Sequence, residues 1–424
     1  MQVTSRFGLA LSVVALAAGV AACGSSDDSG GSASAGGSGN NTNAKEGVKA
    51  NAVNYGLIYD QTGPSAVSQT PWAHGFMTQI KKANDAGGVN GRKINLIQVD
   101  EKSEVPTGVA GYKKLSTQTP VVGISGYGSS SVQEAVLPSI VKDNMPLVGP
   151  QSITKAALVP QHKSIFAVLP PYSDQVDVLM GYMNKKLNLT APKVGIFRLT
   201  AASGVEVDQL VKERVAKSGG SIVYDQEGDP TQTSADAQVQ KIVAAKPDYI
   251  IVHSTPTQAA SVMKALQKLG AKIPVISTFA GGGPTAYQAV PKEYGDLMTY
   301  TAGVTPADVN VPGNAKLLED AKKYGYAKEA GNTAFTFGYL SGLVAVEGLK
   351  NAGKNLSRES FISGLEKISD LDTGGISDKI AYGAKDHIGL SSTRPYIYNY
   401  DTKKFENVGE YADYQSYITN EYGG

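Results

Sequence analysis

Cysteine is almost absent from this sequence of 424 residues, in which Cys23 is the only one. A single cysteine excludes a disulfide within the chain and any metal site built from several cysteines. Histidine is scarce too, and no recognisable catalytic setting surrounds its four positions, 74, 162, 253 and 387. The motifs GxxxxGK[ST], HExxH and GxSxG are missing as well. We therefore expect a protein that is not an enzyme, with no catalytic residues, no metal and no cofactor.

The chain also lacks an excess of either charge. It contains 39 basic and 38 acidic residues, and loss of an N-terminal signal that holds Arg6 and no acid leaves 38 of each. A neutral chain without basic runs does not attract a polyanion by electrostatics. Nucleic acid is therefore not an expected partner.

The N-terminus has the pattern of an export signal. One basic residue precedes an apolar run at 7–20, which ends in the small residues Val20-Ala21-Ala22 before Cys23. This run is shorter than the roughly 20 apolar residues that a membrane span needs. Residues 20–23 resemble the lipobox of bacterial lipoproteins, which implies that Cys23 carries lipid and anchors the protein at the outer face of the cytoplasmic membrane. A plain secretion signal that happens to end in cysteine is the alternative.

Residues 24–50 are rich in Gly, Ser, Asn and Asp and offer almost nothing to bury. This composition predicts a flexible tether after a signal at 1–23. We therefore expect the folded part of the chain to begin at residue 51. Its remaining length is sufficient for two domains of ordinary size.

Short β-rich runs alternate with amphipathic helices from residue 52 onward. Trp72, Phe76, Ile80 and Ala83, for example, are spaced for one face of a helix that Gly87 and Gly88 end. Predicted strands lie at 53–58, 94–99, 121–124, 146–149, 194–199, 221–225, 249–253 and 274–277. Strands that alternate with helices indicate βαβ units and parallel sheets. The fold class is thus α/β, with two Rossmann-like lobes, each around a parallel central sheet.

Two segments carry a resemblance to a known family. Residues 87–94, GGVNGRKI, precede a strand and Asp100, and residues 123–131, GISGYGSSS, are followed by Pro138 and Pro146. In this order they are similar to the Leu/Ile/Val-type periplasmic binding proteins, which have the type I binding fold, and the similarity spans about residues 52–410. The resemblance implies a ligand cleft between two lobes that are joined by three crossovers, here near 168–172, 300–304 and 372–378. Lobe 1 would comprise 51–170 and 304–373, and lobe 2 would comprise 171–303 and 374–424.

Ligands of open α/β sheets collect where strands end and helices begin, because free N–H groups point there. In lobe 1 the turn after residue 124 supplies the candidates Tyr127, Gly128, Ser129 and Ser130. Ser131 and Glu134 fit a capping box, which predicts that the helix starts at Ser131. The resemblance implies a ligand-binding hydroxyl at Ser129, whereas a capped helix without a ligand is the alternative for this turn.

Two further turns of lobe 1 are weaker candidates. The first contributes Gln151 and Ser152, although Ile153 stands where amino-acid binders of the resembled family often have Thr, and a loop without function is the alternative. The second contributes Tyr59, Gln61 and Thr62, for which an ordinary turn before Pro64 is the alternative. Aromatic side chains such as Trp72 offer either ligand walls or core packing.

Lobe 2 contributes candidates from three strand ends: Ala202, Ser203, His253, Ser254, Phe279, Ala280 and Gly281. Residues 203–206 read as a second capping box, and Thr255, Pro256 and Gln258 as a third helix start. Amino-acid binders of the resembled family commonly place an acid near Phe279 to pair the ligand's ammonium group. Its absence here indicates either a ligand without an ammonium group or a partner elsewhere.

These features predict a monomeric solute-binding protein that captures a small organic ligand and passes it to an ABC permease. Branched-chain amino acids are the ligands that the resemblance suggests, whereas the missing acid favours an organic acid, an amide or an aromatic compound. A surface lipoprotein that signals to a membrane receptor is the first alternative. A hydrolase that uses the serines at 129–131, and a structural surface protein, are the others.

Overall fold

The computed structural model describes residues 40–417. Cys23, the apolar run before it and most of the predicted tether lie outside the described residues. Within 40–417, no helix has the length and apolar character needed to cross a membrane. In the same range, no three His, Cys, Asp or Glu side chains are grouped as metal ligands.

A five-stranded parallel sheet forms from the first part of the chain. Its strands lie in the order β2-β1-β3-β4-β5, and β1 pairs with β2 over its full length. The bounds of these strands are β1 Ala52–Tyr59, β2 Lys93–Asp100, β3 Ile124–Gly126, β4 Leu147–Val148 and β5 Ile165–Phe166. The central strands are apolar and buried on both faces, as parallel sheets covered by helices require.

The second sheet has seven strands in the order β12-β11-β10-β9-β8-β6-β7. All neighbours are parallel except at one edge, where β11 runs antiparallel to both β10 and β12. The bounds are β6 Lys193–Leu199, β7 Ser221–Gly228, β8 Tyr249–His253, β9 Val275–Ser277, β10 Met298–Ala302, β11 Arg394–Asn399 and β12 Lys404–Asn407.

Thirteen α-helices are found among the described residues: α1 Ala66–Asp85, α2 Val105–Lys113, α3 Ser130–Lys142, α4 Lys155–Leu158, α5 Tyr172–Leu187, α6 Ala202–Lys217, α7 Asp236–Ala244, α8 Pro256–Lys268, α9 Pro284–Gln288, α10 Lys292–Gly295, α11 Pro312–Lys323, α12 Thr333–Asn351 and α13 Arg358–Glu366. The helices α1, α2, α3, α12 and α13 pack with the first sheet and with one another, whereas α5 to α10 belong to the second.

The chain passes between the two sheets three times. It leaves the first sheet after β5, because α5 packs on β9, β10 and β11, and it returns after β10, because α11 and α12 pack on α1. The last passage leads from α13 to β11, and there Ile388 lies beside Ala167 in a parallel bridge. The Tyr382 hydroxyl donates to the Ala167 carbonyl at 2.9 Å, which joins the first and third passages. The predicted fold class, two parallel-dominated α/β lobes, is confirmed.

The predicted start of the folded region at residue 51 is wrong. Val48 is only 1% exposed and belongs to the core, and the Asn54 N–H donates to the Gly47 carbonyl. The Asn41 side chain accepts from the Arg92 guanidinium at 2.8 Å and from the Leu356 N–H at 2.9 Å. The polar composition of this segment did not predict its packing, because the Asn41 side chain forms its hydrogen bonds with buried groups of neighbouring loops.

Candidate functional site

A cavity of about 100 Å³ lies between the two sheets, at the carboxyl ends of their strands. We call it the inner chamber. The starts of α1, α5, α6, α8 and α12 and the turns after β3, β4 and β9 all contribute to its wall. Its lining residues are Ser65, Ser68, Gln69, Trp72, Gly128, Gln151, Leu169, Tyr172, Leu199, Ser203, His253, Ser254, Thr255, Pro256, Phe279, Ala280, Gly282, Asn332, Thr333, Ala334 and Phe337.

Aromatic rings form the apolar part of the inner chamber. The rings of Tyr172 and Phe279 are nearly parallel, with centroids 6.3 Å apart and an interplanar angle of 6°. Phe337 meets Phe279 edge to face at 5.5 Å, and Trp72 stacks on the core residue Phe76 at 5.7 Å. Flat aromatic walls of this kind suit an apolar or planar ligand body.

A second space of about 250 Å³, the outer chamber, adjoins the inner one. The two chambers share Ser65, Gly128, Leu199, Ser203 and Thr255, which form the wall between them or their common edge. The remaining lining of the outer chamber is mostly small and polar: Pro64, Ser103, Ser129, Ser130, Ser131, Thr200, Ala201, Asp229, Pro230 and Thr231. The only charged member is Asp229, whose Oδ1 already accepts from the Thr231 N–H at 2.9 Å.

His253 is the centre of a buried chain of hydrogen bonds. Its Nε2 lies 2.9 Å from Ser203 Oγ and its Nδ1 lies 2.8 Å from Thr278 Oγ1. Burial lowers the pKa of His253 to about 3, so the imidazole is neutral at physiological pH. Both ring nitrogens have protein partners, and the neutral ring therefore supplies no charge to the cavity.

The starts of α3 and α6 meet across the cleft through serine side chains. The Ser203 N–H donates to Ser130 Oγ at 3.0 Å, and the two hydroxyls lie 3.2 Å apart. The Ala202 N–H points to Ser131 Oγ at 3.4 Å. The capping boxes predicted at Ser131 and Ser203 are wrong, because these side chains bond across the cleft and neither N-cap makes a side-chain capping bond.

The third predicted helix start is confirmed. Thr255 caps α8 by accepting from the Gln258 N–H at 3.3 Å, the Gln258 side chain bonds back, and Pro256 is the first helical residue.

A buried carboxyl group lies behind the turn that precedes α3. Glu101 has no exposed surface, and its Oε1 accepts from the Ser129 N–H at 3.1 Å. Burial raises the pKa of Glu101 to about 8, although hydrogen bonds from the Ser129 backbone and the Gln69 side chain oppose this shift. The group is therefore largely protonated near neutral pH and adds little charge beside the cavity.

Nine of the predicted site residues line one or both chambers. The inner chamber is lined by Gly128, Gln151, Ser203, His253, Ser254, Phe279 and Ala280, and the outer chamber by Ser129 and Ser130 in addition to Gly128 and Ser203. These residues come from both sheets, as a ligand site in a cleft requires.

Three other predicted residues lie at the end of β1 or in the turn after it, and they line neither chamber. The Tyr59 hydroxyl donates to Gln98 Oε1 at 2.9 Å. Gln61 donates its backbone N–H, and Thr62 its hydroxyl, to the Asp100 carboxylate. Asp100 thus holds this turn closed.

The last four predicted residues also line neither chamber. Tyr127 adopts the left-handed region at φ 57°, and its ring is buried in the hydrophobic core that contains Ile124 of β3. Ser152 and Gly281 are buried, and Ala202 is occupied by its backbone contact with Ser131.

Several lining residues were missed by sequence reasoning, among them Ser65, Ser68, Gln69, Leu169, Tyr172, Asn332, Thr333, Ala334 and Phe337. Asn332 had a detectable signal, because an asparagine directly before a helix is a preferred N-cap. It accepts from the Ala334 N–H at 2.9 Å. Most of the other residues lie in helices or directly before them, and helical patterns do not show which end of a helix faces a cleft.

The comparisons with known proteins agree with this architecture. The family model described as periplasmic binding protein matches residues 52–403. A fatty acid ABC transporter substrate-binding protein from Thermomonospora curvata is 22% identical, with a TM-score of 0.78 over 87% of this chain and 94% of that chain. A branched-chain amino acid ABC transporter protein from Thermus thermophilus with bound valine is 18% identical, with a TM-score of 0.78 over 84% and 95%. No curated protein matches the sequence.

Proposed function

Because the chain belongs to the periplasmic binding protein family, we propose that it captures a small organic solute outside the cell and delivers it to an ABC permease. The observation that supports this proposal is the inner chamber, which lies between the two sheets and is lined by residues that follow strands of both. A solute that contacts both lobes favours the closed arrangement, and the permease would recognise that shape.

The proposed lobes follow the packing of the helices. Residues 40–170 and 304–373 would move as lobe 1, and residues 171–303 and 374–417 as lobe 2. The three passages of the chain between the sheets would act as the hinge. This division keeps the boundaries expected from the sequence, apart from the earlier start at residue 40 and an end at the last described residue.

Trp72 provides a direct test, because it is the only tryptophan of the protein and it lines the inner chamber. We expect a bound solute to change its fluorescence and to raise the melting temperature in proportion to ligand concentration relative to affinity. The assay screens amino acids, fatty acids, small amides and aromatic compounds. Failure of every compound in both readouts would contradict solute binding.

A cavity-filling variant locates the response. Ala280→Phe places a bulky ring in the inner chamber, so we expect both signals to be lost, whereas Ala244→Phe at the exposed end of α7 retains them. Equal responses of the two variants would show that the solute binds elsewhere.

Binding without chemical conversion is part of the proposal. Ser203 and His253 are close enough for a nucleophile and a base, but Thr278 rather than a carboxylate contacts the second ring nitrogen. A histidine whose pKa is about 3 is a poor proton acceptor at neutral pH. We expect purified protein and its Ser203→Ala variant to release p-nitrophenol from its acetate ester at the same background rate.

The lipid anchor on Cys23 also remains a proposal, and we further propose a monomer at the outer face of the cytoplasmic membrane. We expect the full chain to partition into the membrane fraction with an acylated N-terminal peptide detectable by mass spectrometry. The Cys23→Ala variant should lose the acylated peptide. An unmodified, soluble wild-type protein would support the plain secretion signal instead.

A further inference from the structure

The inner chamber contains no formally charged side chain. None of its 21 lining residues is Asp, Glu, Lys or Arg, and its histidine is neutral with both nitrogens engaged. An amino acid would bring an ammonium and a carboxylate into this space. A buried charge without a partner is strongly unfavourable.

Some of the backbone N–H groups at the helix starts around the chamber are also occupied by the protein itself. At α3 the Ser129 N–H is taken by Glu101, and at α6 the Ser203 N–H is taken by Ser130. These are the N–H groups that ordinarily hold an anion at a helix N-terminus.

The starts of α8 and α12 repeat this arrangement. Thr255 caps α8, and Pro256 has no N–H group to offer. At α12 the Asn332 side chain takes the Ala334 N–H. Near the turn after β9, the Phe279 N–H donates to Gln175 Oε1 at 3.1 Å. At these positions the backbone therefore has fewer free N–H groups to offer a carboxylate.

Two glutamine amides of the lining supply further hydrogen-bond donors. Gln151 Nε2 is buried and has no hydrogen-bond partner among residues 40–417. Gln69 is 1% exposed, and its Oε1 accepts from the Asp60 N–H at 2.6 Å. This bond sets the orientation of the amide and leaves its nitrogen as a donor for other groups. Gln69 Nε2 is buried beside the Glu101 carboxyl, and its two N–H groups allow one bond to that carboxyl and one to a ligand in the chamber that Gln69 lines.

Buried donors without partners are costly, so a ligand that satisfies them gains specificity. Resting on the proposed solute-binding function, we infer that the ligand is an uncharged organic molecule with an aromatic or apolar body and a carbonyl-type acceptor oxygen. The oxygen accepts from the Gln69 and Gln151 amides, and the body lies against the aromatic walls. Primary or secondary amides and ketones have this chemistry, whereas free amino acids and carboxylic acids do not.

Matched compounds test the inference. Phenylacetamide, phenylacetate and phenethylamine share one ring and differ in the charge of the polar end, and isovaleramide, isovalerate and isoamylamine form an aliphatic set. Leucine and valine are included as zwitterions. We expect calorimetric titration at pH 7 to give an amide affinity at least tenfold higher than that of its charged counterparts, in whichever set binds.

An acid, amine or amino acid that binds as tightly as the matched amide would overturn the inference while leaving solute binding intact. If the amides fail and another compound raises the melting temperature, the inference is equally wrong. If no compound of any class binds, solute binding itself fails.

Two pairs of variants separate charge from shape. Ala280→Asp introduces a carboxylate at the chamber wall, and Ala280→Asn is its uncharged match. We expect the Asp variant alone to gain affinity for the amine, by about tenfold relative to the Asn variant.

Gln151→Leu removes the unpaired donor and should reduce amide affinity about tenfold, whereas Gln151→Glu should reduce it further by adding an uncompensated charge. Unchanged amide affinity in both Gln151 variants would contradict the proposed role of this side chain.

Discussion

At the scale of single residues, His253 and Glu101 show how burial controls ionisation near the cleft. Desolvation lowers the pKa of His253 to about 3 and raises that of Glu101 to about 8, so both favour their neutral forms. Their effects on stability have opposite signs. The unfolded chain binds a proton at His253 more readily than the folded chain, whereas the folded chain binds one at Glu101 more readily.

His253 should make the protein less stable in acid. Its contribution to the free energy of unfolding is present above the ordinary histidine pKa of 6.5 and is lost as pH falls from there toward 3. Relative to His253→Gln, the wild type should lose up to about 1.4 kcal/mol per pH unit in this window. Urea denaturation of both proteins between pH 7 and pH 4 measures the difference. A difference that stays constant with pH would show that His253 titrates normally.

Glu101 should make the protein less stable as pH rises. Its ordinary pKa of 4.5 is raised to about 8, so stability is lost between these values as the unfolded carboxyl ionises and the folded one does not. Glu101→Gln keeps an acceptor for the Ser129 N–H, and we expect its advantage over wild type to grow by up to about 1.4 kcal/mol per unit from pH 5 to pH 8. The exposed Glu104→Gln is the control, and the same pH trend in that variant would reject the assignment to Glu101.

At the scale of secondary-structure elements, α1 and α12 pack closely because glycines lie at their contact. A Cβ atom at Gly75 would lie 2.1 Å from the Phe335 carbonyl oxygen, and one at Gly338 would lie 1.8 Å from the Trp72 carbonyl oxygen. The same two helices carry Trp72 and Phe337 into the inner chamber. Their close approach therefore fixes one wall of the site.

Gly338→Ala should destabilise the protein despite the higher helix propensity of alanine. The new methyl group collides with backbone, which cannot move aside as a flexible side chain does. We expect a loss of about 1–3 kcal/mol in the free energy of unfolding. At Gly331 a Cβ meets nothing within 4 Å, so Gly331→Ala is the matched control. Equal stabilities of the two variants by urea denaturation would contradict close packing at Gly338.

At the scale of the whole molecule, the contact between α3 and α6 links a helix of lobe 1 directly to a helix of lobe 2. The Ser203 N–H donates to Ser130 Oγ at 3.0 Å, and the Lys155 N–H adds another link by donating to Glu206 at 2.7 Å. In an open form water would replace these partners, so the links favour closure only modestly.

Ser130→Ala should shift the protein toward the open form. The Ser203 N–H loses its buried acceptor in the closed form alone, and about 1.4 kcal/mol would change the ratio of closed to open molecules tenfold. We expect a larger radius of gyration by small-angle scattering than for Ser139→Ala, which alters an exposed serine on the same helix. Identical scattering curves would mean that this contact does not control closure.

The sequence alone determined much of the local structure. Apolar runs bounded by turn residues fixed strands such as β8, the spacing of Trp72, Phe76 and Ile80 fixed α1, and Thr255 with Gln258 fixed the start of α8. These features depend on residues a few positions apart, whose periodicity and capping chemistry can be recognised in the sequence alone. The strand and helix order then restricted the architecture to two parallel α/β lobes.

Only the tertiary structure decided which residues share the cleft. Gln69, Tyr172 and Phe337 come from three distant helices, and nothing in their local patterns distinguishes a cavity wall from a core. Ser131 and Ser203 matched a local capping pattern, yet their side chains found partners across the cleft. Hydrogen bonding and burial are satisfied over the whole fold, so a side chain with a good local partner takes a distant one when folding brings it closer.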